Sequence, residues 1–173
     1  SDVYKRQMQN NPLDLKNKVV SDALTRKKSN DALEIIANFG DPMMPVCAGM
    51  LSSVSEKCNA ILAGGTQMLA VLKLAKTIGY NAENTAIGCT SYIIDDSQAK
   101  FLDTLKMIDD ISVLSCDPCL HNSQHFGLRS YADGFVKEGA GAGGAIIASL
   151  LKTENTIENL FSEFEKEYKR IST

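Results

Sequence analysis

Glu138 stands directly ahead of a glycine cluster in KEGAGAGGAIIASLL, residues 137–151, where the chain runs into an apolar helix. Gly139, Gly141 and Gly144 have the spacing G-x-G-x-x-G. Used for a dinucleotide, that spacing needs a strand before the first glycine, a second strand after the helix, and an acid at that strand's end. Only Phe135 and Val136 precede it as possible strand, and two helical patterns follow, so the dinucleotide reading fails on context. Two readings stay open. Small residues let a helix pack closely on its neighbour, which accounts for the glycines. It does not account for the acid, and a carboxylate at a helix amino terminus is stabilised in its ionised form.

Two other helix starts carry similar chemistry. FGDPMMP, residues 39–45, aims the first free amides of a helix, from about Met43, out of the Gly40 turn, and such an end accepts a phosphate. Asp41 would repel that charge, so it either caps the helix or binds ribose hydroxyls. LAGGTQM places Gly64, Gly65 and Thr66 at the carboxyl end of a strand, where open parallel sheets bind ligands. CDPCLHNSQH offers Cys116, Cys119, His121 and His125 as a zinc set. Structural zinc sites pair two knuckles across a longer segment, and these four crowd into one short stretch. The segment reads instead as a turn closing a strand, and neither metal nor cofactor is expected.

The elements that must hold these groups alternate in type. A helical pattern starts at Pro12 with Leu13, Leu15, Val19, Val20, Ala23 and Leu24. A second helix opens at Asp31 with Glu34 completing a capping box and stops at Gly40. A third takes Asp41 as N-cap and Pro42 as its first residue and runs to about Glu56. Strands are expected at 59–63, at 85–89 and in ISVLSC. Helices are expected at 66–78, 95–107, within HFGLRSYADGFVK, and from the glycine cluster to Leu151. A last helix opens at Asn155 with Glu158 completing its box, and lines up Ile157, Leu160, Phe161, Phe164, Tyr168 and Ile171. Short apolar strands without polar alternation, separated by helices, predict a three-layer α/β/α fold with a mainly parallel sheet.

Composition excludes several classes. A net charge of -3 with scattered lysines and arginines leaves no footprint for nucleic acid or an anionic membrane. No apolar run approaches the ~20 residues of a membrane span, and no leader pattern is present, so a cytoplasmic location is expected. Five cysteines, an odd number, fit reduced thiols. Residues 1–7, SDVYKRQ, have no periodicity and no cap and read as a translated sequencing-adaptor scar. Residues 8–173 then form the carboxyl-terminal part of a single α/β domain, its sheet incomplete without an amino half.

Taken in order, NNPLDLK, FGDPMMPVCAGML, ILAGGTQMLAVL and GLRSYADGFVKEGAGAGGAIIASLL resemble the nicotinate-nucleotide:dimethylbenzimidazole phosphoribosyltransferase family of cobalamin biosynthesis, in its less characterised prokaryotic branch. The resemblance covers the chain from Met8 onward, and its last stretch is the most specific. It implies an α/β/α homodimer without a cofactor. It also implies transfer of a 5-phosphoribosyl group from nicotinate mononucleotide to a benzimidazole- or purine-type base, giving an α-linked nucleotide. Glu138 would stand as the catalytic glutamate, with Gly139, Gly141 and Gly143 in the loop beside it and Gly40 at the phosphate turn. Gly64, Gly65, Thr66 and Asp41 are the further expected substrate contacts. In one respect the chain departs from the pattern: the better-studied branch has an acid where this chain has Ala63 and Gly64. A non-catalytic, nucleotide-binding or regulatory relative is the alternative.

Overall fold

The computed structural model describes residues 13–26, 29–97, 100–134 and 141–172. Helix α1, Leu13–Arg26, turns Leu15, Val19, Val20 and Leu24 outward, each more than half exposed. Helix α2, Ala32–Phe39, starts where the Asp31 carboxylate accepts the Glu34 amide at 2.8 Å. The expected box closes through a third residue: the Asp31 amide donates to Ser29 Oγ, which in turn donates to the Glu34 carboxylate. Helix α3, Met43–Ser55, begins as the sequence predicts. Asp41 Oδ1 accepts the Met43 amide at 2.8 Å, and Pro42, at φ -55 and ψ -25, occupies the first helical position.

Strand β1, Ala60–Ala63, leads into helix α4, Thr66–Ile78, and strand β2, Thr85–Thr90, into a short helix α5, Ser91–Ile94. Helix α6, Phe101–Ile108, precedes strand β3, Ser112–Cys116. The helix expected at 95–107 starts only at Phe101, and a separate short helix, Ser91–Ile94, precedes the expected range. Lys100 adopts the left-handed conformation, φ 46 and ψ 39, just before α6, and the chain turns there so that Phe101 can enter the core. A 3-10 turn at Leu120–Asn122, helix α7 at Phe126–Ala132, helix α8 at Ala142–Lys152 and helix α9 at Ile157–Ser172 complete the order. Helix α9 starts one residue later than the sequence suggests. Thr156, not Asn155, accepts the Asn159 amide at 3.3 Å, which moves Glu158 out of the capping-box position.

The three strands are parallel in the order β1-β2-β3, with Ala63 beside Gly88, Ile87 beside Val113, and Thr90 beside Cys116. The mixed α/β fold with a parallel sheet flanked by helices follows from their composition. Alternate side chains serve two covered faces, so neither face can be polar. Leu62, Ile87 and Cys89 point to one side and join Leu69, Leu72 and Ala75 of α4, Ala48 and Leu51 of α3, and Phe101 and Leu105 of α6. The other face is covered by α8, which touches all three strands.

One polar tie fixes the α4–α6 side. Partial burial opposes ionisation of Asp109, but the Tyr80 hydroxyl at 2.9 Å, the Asp110 amide and the Lys76 ammonium at 3.3 Å outweigh it and hold the carboxyl below its ordinary range. A depressed folded value gives stability that is fully present above the unfolded value of roughly 3.9 and disappears as pH falls through the folded one. Asp109→Asn is therefore expected to lower the denaturation midpoint near neutral pH, with the gap from wild type closing below about pH 3 in acid unfolding curves.

Candidate functional site

The carboxyl ends of the strands and the amino end of α8 meet at one edge. Gly143 lies so close to β2 that a Cβ there would overlap the backbone of Cys89 and Thr90. A Cβ on Gly144 would overlap Ala63, and one on Gly88 would come within 2.8 Å of the Gly144 Cα. Helix and sheet thus touch backbone to backbone, which only residues without a Cβ allow. Gly141 stands over the end of β1, its Cβ position 3.5 Å from the Ala63 carbonyl oxygen. On the strand side, the Gly64 amide donates to the Gly88 carbonyl at 3.0 Å, and Gly65 is the N-cap of α4, whose first residue is Thr66. The glycine turn after β1 and the glycines opening α8 therefore lie at one edge of the sheet, together with the amino termini of α4 and α8.

Four polar side chains that sequence reasoning missed, Thr90, Tyr92, Asp117 and Tyr131, stand at the same edge. The Tyr92 hydroxyl donates to Asp117 Oδ1 at 2.8 Å and accepts the Leu120 amide at 3.1 Å, while the Cys119 amide donates to the same Asp117 oxygen. Burial, and then that bond to Asp117, push the Tyr92 phenol well above its ordinary range, so it stays a proton donor. The Tyr92 ring meets Tyr131 edge to face at 5.9 Å, and the Tyr131 hydroxyl lies 3.5 Å from the fully buried Thr90 hydroxyl. Each of these follows a strand or faces one. Thr90 ends β2 and Tyr92 and Asp117 stand just beyond β2 and β3, which was the available signal for these three; Tyr131 comes from α7.

Of the residues singled out in the sequence, Gly64, Gly65, Thr66, Gly141 and Gly143 come together here. Glu138 and Gly139 lie outside the described residues. Gly40 caps α2, donating its amide to the Ile36 carbonyl at 2.8 Å, and its nearest neighbours belong to Ile36. Asp41 caps α3, one carboxylate oxygen accepting the Met43 amide.

The cysteines and histidines of the 116–125 segment each have a separate neighbour. Cys116 Sγ donates to the Gly143 carbonyl at 3.7 Å and Cys119 Sγ to the Asp117 carbonyl at 3.8 Å. His125 packs its ring on Tyr168 at 4.8 Å and lies 4.0 Å from Glu165, and His121 is exposed in the 3-10 turn. Burial pushes the Cys89 thiol up to about 11 and also raises Cys116 and Cys119. Among the described residues no group of three or more histidine, cysteine or acidic side chains could hold a metal. Cys119→Ser is expected to change stability by less than about 0.5 kcal/mol, and metal analysis to give no stoichiometric zinc. One zinc per chain, or unfolding by a chelator, would restore the zinc reading.

No family model matches the chain. It has archaeal homologues named UPF0284 protein. One from Archaeoglobus fulgidus is 40% identical over 95% of this chain and 46% of its own length. One from Methanopyrus kandleri is 34% identical over 98% of this chain and 46% of its own, and one from Pyrococcus abyssi 36% identical over 94% and 49%. The chain spans about half the length of the curated relatives it matches. Among the described residues, no helix is long and apolar enough to cross a membrane.

Proposed function

We propose that this edge binds a ribonucleotide, and that the intact protein transfers a 5-phosphoribosyl group from nicotinate mononucleotide to a ring nitrogen of a benzimidazole- or purine-type base. The supporting observation is the convergence of Gly64, Gly65 and Thr66 with Gly141 and Gly143 at the ends of β1 and β2, under the amino termini of α4 and α8. Amides unshielded by side chains and a positive helix end are what a phosphate needs. The resemblance to the phosphoribosyltransferases supplies the reaction.

The chemistry asks little else of the protein. The pyridinium nitrogen of the donor already carries a positive charge, so the bond from C1′ breaks with its electron pair going to that nitrogen, and neutral-ringed nicotinate leaves. A ring nitrogen of the base forms the new bond to C1′ from the opposite face, which inverts the anomeric centre. The incoming ring then loses one proton, and Glu138, three residues before Gly141, takes it as general base. Asp41, which caps α3 with one carboxylate oxygen, keeps the other for ribose hydroxyls, and α-linked product, homodimer and cytoplasmic location belong to the same reading.

The test is to incubate intact protein with nicotinate mononucleotide and benzimidazole and to follow free nicotinate. Turnover supports transfer. Tight nucleotide binding without turnover would assign the protein to a non-catalytic nucleotide-binding role instead, a reading that the missing acid at Ala63 and Gly64 favours.

A further inference from the structure

Helix α9 lies on the domain without burying a single residue fully, whereas α8 beside it buries Gly143, Gly144, Ile146 and Ile147. Under α9 is a cavity of about 260 Å³, lined by Thr90, Tyr131 and Ala142 from the domain and by Phe164, Tyr168 and Ile171 from α9 itself. Atoms that line a void have no neighbours on one side and lose the dispersion contacts of a close-packed helix. The apolar face of α9 therefore holds it to the domain less firmly than its sequence pattern suggests.

A polar tie holds it at one point. Glu165 is drawn in beside Phe164, and its carboxylate accepts the Ser123 hydroxyl and, at 3.4 Å, the Gln124 amide. Among the described residues these are the hydrogen bonds that join α9 to the body of the domain, and Lys166 and Arg170 pair with Glu163 and Glu167 of α9 itself. The His125 ring packs on Tyr168 at 4.8 Å, and its Nε2 stands 4.0 Å from Glu165, too far for a hydrogen bond. Tyr168 crosses Gly127 so closely that a Cβ there would overlap the phenol oxygen. Ser123, Gln124, His125 and Gly127 all belong to the short stretch between the 3-10 turn and the first turn of α7, so α9 is fastened at one place.

We infer that α9 is a latched lid: it swings off the cavity as one body while the sheet and α8 stay folded, and Glu165 with Tyr168 forms the latch. Opening bares the first turn of α8 at Ala142, beside Gly141 and Gly143. The inference stands independently of the transfer reading. Native-state hydrogen exchange on the intact protein, at rising but sub-denaturing urea, tests it. The amides of residues 161–168 are expected to exchange together through an opening that urea barely promotes, because it exposes little surface. Amides of α4 wait for global unfolding and respond steeply. Glu165→Gln keeps the size and removes the charge, and Gly127→Ala displaces the Tyr168 ring while favouring helix at α7. Each is expected to speed exchange of residues 161–168 roughly tenfold. Thermal unfolding shows that each variant is folded, and if neither folds, the urea dependence of the wild type decides alone. Three results overturn the lid: α9 amides with the urea dependence of α4, protection that rises residue by residue from Ser172 as at a fraying end, or unchanged α9 exchange in both folded variants.

Discussion

Exchanging Glu138 for glutamine is expected to slow nicotinate release by the intact protein roughly 10²- to 10⁴-fold, the usual worth of a positioned general base, while nicotinate mononucleotide binding stays nearly unchanged. Glutamine matches glutamate in size and still accepts a hydrogen bond, but it cannot take the ring proton. The expectation comes from two facts: Glu138 precedes a glycine loop that close helix packing alone does not require an acid to open, and the described end of that loop, Gly141, stands over the end of β1. Steady-state kinetics separates the outcomes. A lower kcat with an unchanged KM supports the assignment, a raised KM alone moves Glu138 to substrate binding, and wild-type turnover removes it from the site.

The largest effect on stability is expected at the seat of α8. Gly143→Ala should cost about 3 kcal/mol, at the upper end of overpacking penalties, because the added methyl meets backbone of β2 and not the end of a side chain that could swing away. Gly144→Ala should behave alike against Ala63. The control is Gly49→Ala, in the middle of α3, where an added Cβ meets nothing within 4 Å and should stabilise by roughly 0.5–1 kcal/mol. Denaturant melts of the three variants decide the matter. Similar shifts at Gly49 and Gly143 would mean that backbone entropy, not close contact, governs these positions.

Local signals carried most of the fold. The double glycine after a buried apolar run marks the end of β1 and the first residue of α4, and Asp41 with Pro42 marks the start of α3, because caps and turns are decided within a few residues. Errors arose where distant packing decides. Nothing around Lys100 announces a left-handed residue; the burial of Phe101 by α4 sets it. Thr156 and Asn155 are both good caps in isolation, and only the way α9 lies on the domain selects one. The site divides in the same way. Glycines are legible because few residues can replace them at a backbone contact. Thr90, Tyr92, Asp117 and Tyr131 are of types common on any surface, and only the parallel strand order gathers them.

The backbone contact of α8 with β1 and β2 has a kinetic side. Gly143 and Gly144 dock on Cys89, Gly88 and Ala63, which are distant in sequence, and the groove that receives them exists only once β1 and β2 are paired. Loop closure over such separations is slow, so seating of α8 belongs after the transition state for folding. Substitutions there should then leave the refolding rate nearly untouched and appear almost wholly as faster unfolding. The half-life of the folded molecule against irreversible inactivation is then expected to shorten in Gly143→Ala by nearly the whole of its loss in stability.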